Sequence, residues 1–75
     1  MGNNFIDKQS LLDIGEELFR LRREKHLFLY QLAKQTGIPA KVIEGIEIGR
    51  YLKFRELRNL SKFYGKKPRI VFDKE

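Results

Sequence analysis

No cysteine occurs in the 75 residues, which excludes disulfides and thiolate zinc sites. Histidine is scarce too. His26 stands alone, and one imidazole cannot build a metal centre, so neither a metal nor a cofactor is expected. The supply of nucleophiles is equally short: two serines, Ser10 and Ser61, and one threonine, Thr36. With no glycine-rich phosphate loop and no carboxylate pair set on a scaffold, the chain is not expected to be an enzyme. No apolar run nears the roughly 20 residues that cross a bilayer. The opening MGNNFIDKQS lacks a basic stretch followed by an apolar one, and Ile6 stands where a myristoylation signal needs Ser or Thr. Neither a leader, a lipid anchor nor a membrane partner is expected, and the missing cysteine fits a reducing cytoplasm.

What is present suits one small domain rather than two. A core of this size supplies roughly 3–5 kcal/mol net. Without disulfides or metals, the remaining supports are close helix packing and self-association. The formal net charge is +6 and it is uneven. Residues 1–38 hold six Lys/Arg (Lys8, Arg20, Arg22, Arg23, Lys25, Lys34) against five acids, whereas residues 39–75 hold ten against five. An excess gathered in one half points to a polyanionic partner; the plainer reading is ordinary solubility charge.

Hydrophobic spacing predicts helices. Residues 1–9 are polar, with one apolar pair, Phe5-Ile6, and read as a loose arm. Ser10 with Asp13 three residues on resembles a helix N-cap. Leu11, Ile14, Leu18 and Leu21 then fall at helical offsets and predict a first helix over about 11–25. His26 reads as its C-terminal residue, a cation facing the negative end of the helix dipole. A second helix is predicted over about 29–35, a third over 39–46 and a fourth over 54–64, with stops at Gly37, Gly49 and Gly65. Leu57, Leu60, Phe63 and Tyr64 share one face of the fourth helix, and Phe54 is expected to join Tyr64 in the core. After Gly65 the pattern changes: Pro68 blocks helix and Ile70-Val71-Phe72 favours strand. A lone strand in a helical domain either stays unpaired or pairs with the same strand of a second copy. The expected organisation is an arm over 1–9, a helical domain over 10–65 and a tail over 66–75.

The most informative run is LAKQTGIPAKVIEGIE, from Leu32 to Glu47. Gly37 accepts a left-handed backbone without steric cost, and Pro39 pre-sets a helical φ for the next segment. Ile38, Val42, Ile43 and Ile46 give that segment one apolar face. Two short helices joined by a tight glycine turn form the helix-turn-helix plan. Together with Ile14-Gly15, Leu21-Arg22, Gly49, Leu57, Leu60 and Gly65, the run resembles the Cro/repressor-type (Xre-like) helix-turn-helix family over about residues 14–65. The tail is similar to that of HipB-type antitoxins. The resemblance implies an all-α, lambda-repressor-like bundle of four to five short helices plus a short C-terminal β-strand. It also implies a homodimer built by Ile70, Val71 and Phe72, and a partly buried ion pair between Arg22 and Glu47. Without the resemblance, those two read as surface charges.

For function, the resemblance implies a dimeric, sequence-specific DNA-binding regulator, a repressor or an antitoxin-like autorepressor, with helix 3 in the major groove. Double-stranded DNA is then the partner, and a toxin a possible second one. Lys41 is able to reach guanine O6/N7 and Ala40 to meet a thymine methyl. Glu44 either accepts from cytosine N4 or is merely solvated near Lys41. Lys34, Lys41, Arg50, Tyr51, Lys53 and Arg55 are candidates for phosphate, each alternatively a solvated side chain. The chain departs from the family where Phe28 and Leu29 replace a polar cap, where Pro39 replaces a polar contact residue, and at Gly45, which has no side chain to read with. These departures motivate an alternative: an interaction module that keeps the fold and binds DNA weakly, meeting another protein through Phe28 and Tyr30. Both aromatics otherwise read as core substitutes.

Overall fold

The computed structural model describes residues 8–66. It places four helices in chain order: α1 (Lys8–Glu24), α2 (Leu29–Thr36), α3 (Ala40–Glu47) and α4 (Phe54–Tyr64). The all-α expectation holds, with four helices and no strand among the described residues. Ile70, Val71 and Phe72 lie outside them, as do residues 1–7 of the expected arm.

Each helix forms around an apolar stripe. In α1, Ile14, Leu18 and Leu21 are buried together with Gly15 and Arg22, and this face packs chiefly on α3. Leu32 of α2, Ile43 and Ile46 of α3, and Leu60 of α4 are the most deeply buried large side chains. Burying each is worth about 1.5–3 kcal/mol relative to exposure, so these few residues carry much of the core. Leu57 and Tyr64 close it on the α4 side, and Ile38 closes it between α2 and α3.

Helix ends differ from the sequence expectation in informative ways. α1 begins at Lys8, so Ser10 lies inside the helix rather than capping it, and residues 8 and 9 belong to α1 rather than to an arm. Gln9 donates from Nε2 to Asp13 Oδ1 at 2.9 Å, an i,i+4 bond that supports this extra turn. At the other end, His26 is not helical. It is the one non-glycine residue among those described with positive φ, 56°. The His26 N–H donates to Arg23 O and the Leu27 N–H to Arg22 O, the paired bonds of a Schellman stop made without glycine. α3 begins at Ala40, one residue later than predicted. Pro39 stands just before it at φ −57°, and its carbonyl accepts from the Val42 and Ile43 N–H groups.

The expectation that Phe54 is core is also corrected. It opens α4 and is about half exposed, because the helix presents Leu57, Leu60, Ser61 and Tyr64 inward. Phe63 is partly buried and meets the Tyr64 ring edge-on at 5.3 Å.

Tyr64 is buried, and its hydroxyl has no hydrogen-bond partner among the described residues. Burial pushes this phenol up to about 12, the Glu47 carboxylate adding to the rise and Arg22 opposing it. A free tyrosine ionises near pH 10. Above that pH the unfolded chain releases a proton that the folded chain retains. Stability contributed by the neutral phenol is therefore complete below about pH 10 and lost as pH rises toward about 12. Thermal melts across this window should show the loss in the native chain and its reduction in Tyr64→Phe.

Candidate nucleic-acid interface

Between α2 and α3 the chain turns in three residues. Gly37, at φ 79°, donates to Ala33 O at 2.8 Å and ends α2. The Thr36 hydroxyl donates back to Leu32 O and accepts from the Ile38 N–H. Asn59 Nδ2 of α4 donates to Thr36 O at 3.1 Å, tying the turn to the last helix. Ile38 is buried beneath the turn while Pro39 stays exposed. The start of α3 is thus presented outward on a braced corner.

The other end of α3 is anchored by charge. Arg22 donates from Nε to Glu47 Oε2 and from Nη2 to Glu47 Oε1, both at 2.9 Å. Its third group, Nη1, donates to Leu27 O at 2.9 Å. The Arg22 and Glu47 side chains are only 10% and 4% exposed. The hydrogen bond to Glu47 is the main cause that raises the Arg22 guanidinium further above its ordinary value, with burial acting against it. This bidentate geometry fixes orientation as well as distance, linking α1, α3 and the connection before α2. By contrast, Arg20 pairs with Glu17 and Glu24 on the open surface of α1, where such pairs contribute little.

Lys41 projects from the first turn of α3 and is exposed, and Ala40 beside it is half-buried. Lys34 is exposed in the last turn of α2. Arg50 and Lys53 are exposed on the connection to α4, and Arg55 is exposed on α4 itself. Glu44 is exposed, but it also lines a groove shared with α1, so part of its surroundings lie away from the α3 start.

Tyr51 is where side-chain geometry adds most to the sequence reading. After Gly49 (φ 78°) the chain doubles back on α3, and the Arg50 N–H donates to Gly45 O at 2.9 Å. The Tyr51 ring then covers Gly45, and a Cβ at position 45 would overlap that ring. The Tyr51 hydroxyl donates weakly to Lys41 O at 3.4 Å, and the Lys53 ammonium sits 5.5 Å from the ring centroid. Gly45 is therefore a notch for Tyr51 rather than an open stretch of backbone. Its one sequence signal was the glycine itself, placed in a helix interior where it costs about 1 kcal/mol relative to alanine.

At the start of α2, Gln31 Oε1 accepts from the Phe28 N–H at 2.8 Å, half of a capping box, since Phe28 has no side-chain acceptor. Phe28 and Tyr30 are about two-thirds exposed, and their rings stack at 5.9 Å with planes 13° apart. They are not core substitutes. No group of three or more metal-ligating side chains occurs among the described residues, and no described helix is long and apolar enough to cross a membrane.

No family model, curated protein or solved structure matches this chain.

Proposed function

We propose that the chain is a dimeric, sequence-specific DNA-binding regulator with a lambda-repressor-like helix-turn-helix, α2 and α3 forming the motif and α3 entering the major groove. One observation carries this reading. The α2–turn–α3 corner sets Lys41 outward at the first turn of α3, while the Arg22–Glu47 pair clamps the far end of the same helix. Lys34, Arg50 and Lys53 are exposed on the flanking segments and suit phosphate contact, which positions a protein on DNA without reading sequence. Ala40 and Lys41 are then the base-facing residues. Tyr51 occupies the place where a longer side chain at 45 would read.

Lys41→Ala should lower affinity for a selected duplex by about tenfold, roughly 1.4 kcal/mol, with the fold unchanged. If Lys41 contacts phosphate instead, the loss should be equal across sequences, and the salt slope should fall by about 0.9. Fluorescence anisotropy at several salt concentrations separates the two. Dimerisation through residues 69–72 is part of the proposal: two copies would set their third helices about 34 Å apart on a palindromic site. Deleting residues 66–75 should then give a monomer by light scattering and much weaker operator binding. An unchanged dimer would remove the tail from the proposal.

A second reading, a protein-interaction module with weak DNA binding, is favoured by the stacked, exposed Phe28–Tyr30 pair. Soluble monomers rarely leave large contiguous apolar patches uncovered. If random and selected duplexes bind with the same micromolar affinity, this second reading replaces the first.

A further inference from the structure

We propose that the groove between α1 and the end of α3 docks a cationic amphipathic helical segment of another protein. Glu44 aside, the site shares no residue with the candidate DNA contacts, and the proposal does not depend on DNA binding.

α1 has two stripes. One is the buried core face. The other, Gln9, Leu12, Glu16 and Phe19, runs at offsets of three, seven and ten along a second face. It forms one wall of a groove of about 560 Å³. Leu29, Glu44 and Ile48 form the opposite wall. Leu12, Phe19 and Ile48 are 40–50% exposed, so three large apolar side chains face solvent in one place. An offset of ten residues along a helix is about 15 Å, enough for two to three turns of a helix lying in the groove.

Charge selects the occupant. Glu16 and Glu44, one on each wall, are exposed, and neither has an ion pair among the described residues. Arg22, which lines the groove, is held by Glu47 and Leu27 O, and Arg23 beside it lies 5.5 Å from the Phe19 ring. Away from that end the groove is apolar with one carboxylate on each wall, on a chain of net charge +6. A ligand with leucine-like ridges and flanking lysines or arginines matches both features. Among the described residues a second copy offers less. Its α4 carries Arg55, Arg58 and Lys62 outward, but it turns Leu57, Leu60 and Tyr64 into the core, leaving the charge without the ridge.

The test titrates the isotope-labelled full chain with two 14-residue helical peptides, one of Leu and Lys and one of Leu and Glu, each with Leu at helical spacing. The Leu/Lys peptide should shift the amide signals of Leu12, Glu16, Phe19 and Ile48, and bind at least tenfold tighter than the Leu/Glu peptide. Phe19→Ser should weaken it about tenfold. The double variant Glu16→Lys, Glu44→Lys should reverse the peptide preference while keeping the melting temperature. The proposal is overturned by equal binding of both peptides, by shifts centred on Asp13 and Glu17, or by no binding at about 1 mM. It is also overturned if binding appears only after residues 1–7 are deleted, or if the same signals broaden with protein concentration alone. Those last results would assign the groove to the chain itself or to a second copy.

Discussion

Glu47→Ala should leave the domain largely unfolded near room temperature. The substitution keeps Arg22 in its buried seat, with Leu27 O as its one remaining hydrogen-bond partner and the Phe19 ring 5.3 Å from the guanidinium. An uncompensated buried charge costs about 3–5 kcal/mol. A core of this size has roughly 3–5 kcal/mol in total, so the two quantities nearly cancel. In a domain this small each kcal/mol moves the melting temperature by about 4–8 °C, and the expected fall is therefore tens of degrees. The double variant Arg22→Met, Glu47→Met should recover much of the loss, because apolar side chains of similar volume often replace a buried pair at little cost. Circular dichroism melts of the native chain, Arg22→Met, Glu47→Met and the double variant complete the cycle. Additive effects would mean that the two residues act independently, and the clamp on α3 would have to be abandoned.

This pair was legible in the sequence only through a resemblance; spacing alone cannot bring together residues 25 positions apart. Periodicity did better. Leu57, Leu60 and Tyr64 fall on the buried face of α4 as their offsets require, and α4 has the bounds that the pattern predicts. Phe54 shows the limit of the same reasoning: an aromatic at the first turn of a helix can project past the core, and hydrophobicity does not encode which way it points. The end of α1 was legible to within a residue, but the left-handed backbone of His26 was hidden for a related reason. A left-handed residue is signalled by glycine, and here the Schellman bonds hold a histidine in that conformation. At the candidate interface, the exposure of Lys41, Arg50 and Lys53 could be anticipated from their charge. That Tyr51 would lie on Gly45 could not, because it depends on the chain doubling back after Gly49.

Gly15→Ala should be destabilising although it improves helix propensity. Alanine in place of glycine inside a helix gains about 1 kcal/mol locally. Gly15, however, faces the end of α3, and a Cβ there would overlap the carbonyl oxygens of Ile46 and Glu47. These are backbone atoms, and Ile46 O also accepts from the Gly49 N–H, so they cannot swing aside as a flexible side chain would. α1 must lift instead. That separates Ile14 and Leu18 from the core, and it draws Arg22, two turns along the same face, away from Glu47. Overpacking of this kind costs about 1–3 kcal/mol and occasionally more, and the strained ion pair adds to it. Set against the propensity gain of about 1 kcal/mol, a net loss of about 1–2 kcal/mol is expected. If both substitutions act at one contact between α1 and α3, Gly15→Ala should cost much less once Arg22 and Glu47 are both methionine. Denaturant titrations of the native chain, Gly15→Ala, the Met pair and the triple variant measure this coupling. A Gly15→Ala chain as stable as the native one would show that α1 does not depend on close backbone approach to stay on α3.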